Sequence, residues 1–343
     1  QDGFKGKNIR HNSGNLRLSE KTVTVFWKRF VFIVIVISCS FLTIRRNTVW
    51  KDDLSLWSET IAQSPISPKA YYNLGLEYFE TEDSQKAIEL YQTAIRLSTN
   101  YYRAYNNLGM AYEKDGAFDN AIEAYNRALE IKPGYDKAHN NLGIVYFKKG
   151  EVDHAIEEYK KAIELNGKFG PAWFNLGNAY AEIGLLEKAE AMYRTSIDCE
   201  PNSYRPYNNL GDLYFKNGKL DEAIRAYKNA LEKNNESSTV HYNLGNVYKK
   251  KGLHEPAIAE YKEAIKLDSS NINARNMLGV VYVSTGHLDE AVFQFKKALE
   301  FENNNSKTHS NLANVYYIQG LISEAENEYK IAIGLDKGNI NAY

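Results

Sequence analysis

The chain has 343 residues, with 42 Lys and Arg against 43 Asp and Glu and a formal net charge of −1. That balance excludes the strong basic excess of a nucleic-acid-binding surface, so nucleic acid is not an expected partner. Cys39 and Cys199 are the only cysteines, too few for a disulfide framework.

Residues 1–22 form a polar, basic segment carrying Lys5, Lys7, Arg10, Arg17 and Lys21. Residues 30–44 then run without a charge. Spanning a bilayer takes about 20 apolar residues. The mostly apolar stretch upstream lengthens the run, interrupted only by Lys28 and Arg29, which can snorkel to the interface. The spacing predicts one transmembrane helix over residues 23–44, with a buried core helix or strand as the alternative. Arg45 and Arg46 follow in place of a small-residue cleavage site, which argues against a cleaved signal peptide. Lys and Arg are denser before the run than after it. The positive-inside rule therefore places the N-terminal side in the cytoplasm and the rest in the periplasm, lumen or exterior.

Residues 45–67 read as a junction with a capping half repeat: Trp57 stands 34 residues before Tyr91, and Leu54 stands 34 before Ile88. From residue 68 a 34-residue period governs the chain to residue 339, in eight copies. A Leu-Gly pair fills the seventh and eighth places, from Leu74-Gly75 to Leu278-Gly279, and becomes Leu312-Ala313 in the last copy. The eleventh place is always Tyr, the twentieth always Ala and the twenty-fourth always aromatic. The twenty-seventh is Ala except for Ser196, and the fifteenth is Gly except for Glu82. Leu108 and Tyr112 fall on one helix face, as do Ala121, Tyr125 and Ala128 on a second. Gly116 suits the left-handed residue that ends the first helix. Gly109 and Ala121 read as small because two helix backbones approach there. One helix pair cannot bury such a face alone, so each repeat stacks on its neighbours. Residues 340–343 fit the start of a ninth repeat.

These places resemble the tetratricopeptide repeat, whose pattern is Leu-Gly, Tyr, Ala, aromatic, Ala and Pro; only Pro133 and Pro201 supply the closing Pro. The resemblance implies an all-α fold, a right-handed superhelical solenoid of antiparallel helix pairs, here on one N-terminal transmembrane helix. A second resemblance lies in Arg45-Arg46-Asn47, Trp50-Lys51-Asp52-Asp53, Leu56-Trp57 and Ser64-Pro65. This stretch is similar to the carboxyl-terminal part of multi-span glycosyltransferase-like proteins with such repeats, the transmembrane and tetratricopeptide-repeat-containing O-mannosyltransferases among them. That family's catalytic acids lie in early loops with no counterpart here, so no catalytic residue carries over.

The sixth place holds Asn73, Asn107, Asn141, Asn175, Asn209, Asn243 and Asn311, broken only by Met277. Asn is a mediocre helix residue, so propensity does not explain the row. Its amide carries donor and acceptor together and can pair with a peptide unit whatever the side chain. The row is similar to that of the O-linked N-acetylglucosamine transferases, which implies a concave groove holding an extended polypeptide backbone. The alternative is that these amides tie repeat to repeat. The ninth place adds Asn178, Asp212 and Asn246 in the middle copies and Asn314 in the last. Lys69, Arg103, Lys137 and Arg205 at the second place form a basic rim or a solvated face.

His139, His241 and His309 share the fourth place with Tyr71 and Trp173 and read as packing substitutes, as Cys199 reads as a core residue. No phosphate-loop, dinucleotide or metal-protease motif occurs, so no catalytic residue, cofactor or metal is expected. The expected function is a membrane-anchored interaction module that binds extended polypeptide in an Asn-lined groove. The alternatives are the substrate-recognition arm of a multi-span protein glycosyltransferase, O-mannosyl or O-GlcNAc type, and a scaffold for a membrane-associated complex.

Overall fold

The computed structural model describes residues 30–41 and 52–336. The expected segments 1–22 and 340–343, and the flanks of the apolar run, lie outside the described residues. Helix is the only regular structure among the described residues. Helix α1 covers residues 30–41 and α2 covers Asp53–Gln63. Eight helix pairs follow: α3 (Pro68–Glu80) and α4 (Ser84–Leu97), α5 (Tyr102–Lys114) and α6 (Phe118–Ile131), α7 (Asp136–Lys148) and α8 (Val152–Leu165), α9 (Gly170–Glu182) and α10 (Leu186–Cys199). Then come α11 (Tyr204–Lys216) and α12 (Leu220–Lys233), α13 (Ser238–Lys250) and α14 (His254–Leu267), α15 (Ile272–Ser284) and α16 (Leu288–Phe301), and α17 (Ser306–Ile318) and α18 (Ile322–Leu335).

The chain divides into two compact units, Gln1–Ala111 and Tyr112–Tyr343. In the first, α2 packs on α3 and α3 on α4, so the half repeat forms a helix against the first full repeat. Asp52 starts α2 with a reciprocal cap, its carboxylate accepting the Ser55 N–H at 2.7 Å. Helix α1 exposes apolar side chains all round, among them Phe32, Ile37 and Phe41. Residues 23–29 and 42–44 of the expected span lie outside the described residues, and no helix among the described residues is long and apolar enough to cross a membrane.

In the second unit each helix packs on the next from α6 to α18. The first helices of successive repeats also touch, α7 with α9 and α11 through α13 and α15 to α17. They therefore line one inner side of this unit. The core is built from the fixed places: Leu176, Ala189 and Tyr193 are buried in one repeat as Leu244, Ala257 and Tyr261 are two repeats on. The third and tenth places, such as Ala172 and Ala179, are buried as well, which the Leu-Gly register alone did not single out.

The eighth-place glycine is small for a reason other than backbone approach alone. A Cβ on Gly211 would stand 2.5 Å from Tyr227 Cε1 and 2.6 Å from its Cδ1. The ring of the twenty-fourth place fills the space a side chain would need, and the backbone comes next: at Gly143 the Ala155 carbonyl lies at 3.2 Å. First helices end on a six-to-one bond, in which the N–H of the sixteenth place donates to the carbonyl of the eleventh-place Tyr. Leu185 N to Tyr180 O and Lys219 N to Tyr214 O are both 2.9 Å. The residue between must be left-handed, and Gly184 has φ 78°. In the first repeat Glu82 takes this conformation with φ 68°, against the preference of an L side chain.

Candidate interaction face

The seven sixth-place asparagines all sit half-buried on first helices. Asn73 and Asn107 belong to the first unit and the other five to the second. Where their bonds are drawn, each amide N–H reaches back one repeat. Asn107 donates to the Tyr72 hydroxyl at 3.2 Å, Asn175 to Asn140 Oδ1 at 2.9 Å and Asn243 to Asn208 Oδ1 at 3.3 Å. The acceptor is the fifth place of the preceding repeat, and Asn243 also donates to the ninth-place Asp212 at 3.1 Å. Where the fifth place is Phe174, which cannot accept, Asn209 turns to Asn178 Oδ1 at 2.7 Å. Within a repeat, Asn140 donates to Asn141 and Asn208 to Asn209. Within each unit the amides join neighbouring repeats, and in the second unit they form a seam along its inner side.

The ninth-place residues are fixed from the second helix. Tyr193 donates to Asn178 at 2.8 Å, Tyr227 to Asp212 at 2.5 Å, Tyr261 to Asn246 at 2.8 Å and Tyr329 to Asn314 at 2.5 Å. Burial pushes the Tyr193 phenol up to about 12 and raises Tyr227 and Tyr261 as well, so these hydroxyls stay protonated and donate. Sequence reading missed this pairing, although it leaves a signal. The one Phe at the twenty-fourth place, Phe295, goes with an apolar ninth place, Val280. With Leu76 at the ninth place, the Tyr91 hydroxyl is buried without a partner.

Asp212 replaces Asn in this series. Burial raises its carboxyl; the Tyr227 bond, the Lys216 charge and the Asn208 bond pull the other way without cancelling it. The seam weakens in the seventh repeat. Met277 has no amide to give, and Asn276 donates to Thr308 Oγ1 at 2.8 Å while its own Oδ1 is buried and unpaired.

The fourth-place histidines are not packing substitutes. His139 Nδ1 lies 2.6 Å from Glu158 and its Nε2 lies 3.1 Å from the Pro133 carbonyl. His241 meets Glu260 and the Asn235 carbonyl in the same way, and His309 meets Glu328 and the Asn303 carbonyl. Each clasps the second helix and the preceding turn. The signal was in the sequence, since Glu stands 19 residues after all three. Where Trp173 and Met192 replace this pair, Ile163, Leu176 and Tyr180 join them around an apolar cleft of about 480 Å³. Cys199 is half-buried instead of core, with its thiol 3.7 Å from the Gly167 carbonyl. No cluster of His, Cys, Asp and Glu suited to a metal occurs among the described residues.

Tetratricopeptide-repeat family models match residues 72–136, 145–184, 170–203, 192–225, 211–252, 250–286 and 281–320, together more than half of the chain. Among solved structures, pilF of Pseudomonas aeruginosa is 21% identical with a TM-score of 0.56, over 62% of this chain and 97% of that one. A tetratricopeptide repeat protein from Parabacteroides merdae is 18% identical with a TM-score of 0.54, over 72% of this chain and 98% of that one. A chain of the APC/C hetero-tetramer Cut9-Hcn1 is 17% identical with a TM-score of 0.55, over 83% of this chain and 56% of that one. At these identities the likeness is one of fold. No curated protein matches the chain.

Proposed function

Because the chain belongs to the tetratricopeptide-repeat proteins, whose repeats are protein–protein interaction modules, we propose that its inner side holds an extended polypeptide against the amide seam. The observation that carries this reading is the row of half-buried amides held in fixed orientation by the preceding repeat, from Asn175 through Asn209 to Asn243. A primary amide has two N–H donors and an oxygen with two lone pairs. One bond to a neighbour orients the group and leaves capacity for a peptide unit. Asn178, Asp212 and Asn246, locked by tyrosine hydroxyls, make the fourth to sixth repeats the best equipped stretch. Asn141 and Asn311 extend the same row in the second unit, and Asn73 and Asn107 hold the sixth place in the first.

The test is affinity for a peptide selected on the full chain from a randomised dodecapeptide library. Changing Asn141, Asn175 and Asn209 together to Ala weakens it by about tenfold or more, as three bonds of roughly 1 kcal/mol each require. Circular dichroism must show the variant folded, because the same amides join repeats. A folded variant with unchanged affinity leaves the seam purely structural.

Membrane anchoring through residues 23–44 belongs to the same proposal, supported by the apolar surface of α1 on every side. The orientation that follows puts the repeats outside the cytoplasm. Protease cleavage of the repeats once the extracytoplasmic face of the membrane is exposed, with a cytoplasmic marker left intact and the chain resisting alkaline extraction from membranes, is the expected outcome; repeats protected together with that marker, or recovery in the soluble fraction, defeats it. The sequence of residues 45–65 favours a second reading, the substrate arm of a membrane glycosyltransferase. Reading the frame upstream of Gln1 decides between this arm and a single-span adaptor or scaffold: many spans with acidic outer loops support the arm, and their absence removes it.

A further inference from the structure

Places four and twenty-three hold a polar pair in most repeats of the second unit. The pair is His and Glu in the third, sixth and eighth repeats, and in the seventh Arg275 donates to Gln294 at 3.4 Å. The fourth repeat has Trp173 and Met192 there instead, and the cleft of about 480 Å³ opens beside them. Its walls are α8 and α10, which both pack on α9, its floor. Trp173 and Leu176 stand two residues before Asn175 and Asn178, about 200° round the helix. The cleft therefore lies on the outer face, opposite the amide seam.

Trp173, Tyr180 and Met192 in the lining are of the residue types enriched at protein interfaces. The Trp173 N–H is already taken by the Gly167 carbonyl at 2.8 Å, so the indole is fixed in place and offers packing instead of a hydrogen bond. Trp173 and Tyr180 mark the two ends of the cleft, seven residues and about 10 Å apart along α9. Two turns of another helix cover that distance with side chains at i, i+4 and i+7 on one face. An extended strand covers it in about three residues, with every second side chain turned away. Exposed charges of both signs stand on the rim, Lys160 and Glu164 on α8 and Glu187 and Lys188 at the start of α10. Lys188 lies over the Tyr180 ring at 5.5 Å. Lys160, Glu164 and Glu187 form no ion pair among the described residues, whereas Lys161 and Glu190 on the same two helices pair with Glu158 and Arg194. The equivalent cleft of the fifth repeat is smaller, about 310 Å³, and Arg225 stands on it where the fourth repeat has Ala191.

We propose that the outer cleft of the fourth repeat docks an amphipathic helix of a partner protein. Three large apolar side chains at i, i+4 and i+7 enter the cleft, and charges of both signs on the flanks of that helix meet the rim. The site is separate from the inner side, so one chain holds an extended segment on one face and a helix on the other.

The test is a display library of Ala-based helical peptides, randomised along one face and its flanks and selected on the full chain. Large apolar residues enrich at i, i+4 and i+7. Affinity for the selected peptide falls at least tenfold in Ala191→Arg, which copies the fifth repeat, and in Trp173→His with Met192→Glu, which copies the clasp. Pro at the centre of the peptide, which breaks a helix, abolishes binding. Changing Asn141, Asn175 and Asn209 to Ala leaves affinity for this peptide within twofold. Both cleft variants carry side chains that other repeats hold at the same places, and melting curves establish that they are folded. No enrichment of an apolar face, a loss below tenfold in either folded cleft variant, or binding that survives the Pro overturns the proposal. Loss in the Asn variant with the cleft variants unaffected places the peptide on the inner side and overturns it too.

Discussion

Glu158 and Asp212 are two carboxyls withdrawn from water in the second unit, and their pKa values move in opposite directions. Glu158 is the more hidden, at 8% exposure, and burial pushes it up; the bonds from His139 and Lys161 outweigh that and hold it below the usual range. Asp212 is half-buried, receives neutral donors from Tyr227, Asn208 and Asn243, and stays raised. Neutral hydrogen bonds orient a carboxylate; bonded cations keep it charged. The two inter-helix devices of this protein therefore differ in kind. The clasp sets a carboxylate against an imidazole, joined at Glu158 by the Lys161 ammonium, and serves stability, whereas the seam is built of neutral donors and keeps polar groups facing the inner side.

The largest expected effect breaks the seam at its support. Tyr227→Ala removes a buried ring that fills the space beside Gly211 and leaves Asp212 without its closest donor. Urea denaturation followed by circular dichroism should show a loss of about 3–5 kcal/mol. Tyr227→Phe keeps the ring and should lose only about 1–3 kcal/mol. Equal losses would mean that the hydroxyl, not packing, holds the repeat.

Next come the two carboxyls themselves, compared by melting temperature against pH. Glu158 has a depressed folded pKa, so its contribution is present above the ordinary glutamate value of about 4.3 and is lost as pH falls through the folded value. Glu158→Gln should lower the melting temperature at pH 7, and the deficit should shrink in acid below that value. Asp212 has a raised folded pKa, so its ionised form is a burden above the folded value, relieved as pH falls toward about 3.9. Asp212→Asn, the residue at this place in Asn178 and Asn246, should raise the melting temperature at pH 7 and bring no gain in acid. The same sign of change for both variants at pH 7 would end the distinction between clasp and seam.

The smallest effect concerns an acid in the first unit that holds a left-handed backbone. Glu82→Gly should stabilise by roughly 1 kcal/mol in urea denaturation, because a left-handed residue without Cβ is not strained. Gly184→Ala, at the equivalent place, should destabilise by a similar amount.

The period of 34 residues determined most of the fold by itself. A spacing that returns Leu, Gly, Tyr and Ala to fixed places admits one way of burying them, and Pro68–Glu80 with Ser84–Leu97 repeats down the chain as read. The row of asparagines was equally legible, since a polar residue repeated on an apolar helix face stands out. What the amides touch was not. Asn175 bonds 35 residues back to Asn140, Asn209, with Phe174 at that place, bonds 31 back to Asn178, and Asn243 does both. The histidine clasps were written in the 19-residue interval to Glu, yet a single His at a packing place carries no hint of a partner on another helix. The outer cleft is the clearest case. Trp173 and Met192 read along the chain as ordinary apolar residues, and they line one cleft with Ile163 only once α8, α9 and α10 are stacked. Local periodicity fixes which residues face the core, since helix geometry is a property of short segments. Hydrogen-bond partners and charge environments are set between segments, and only the tertiary structure decides them.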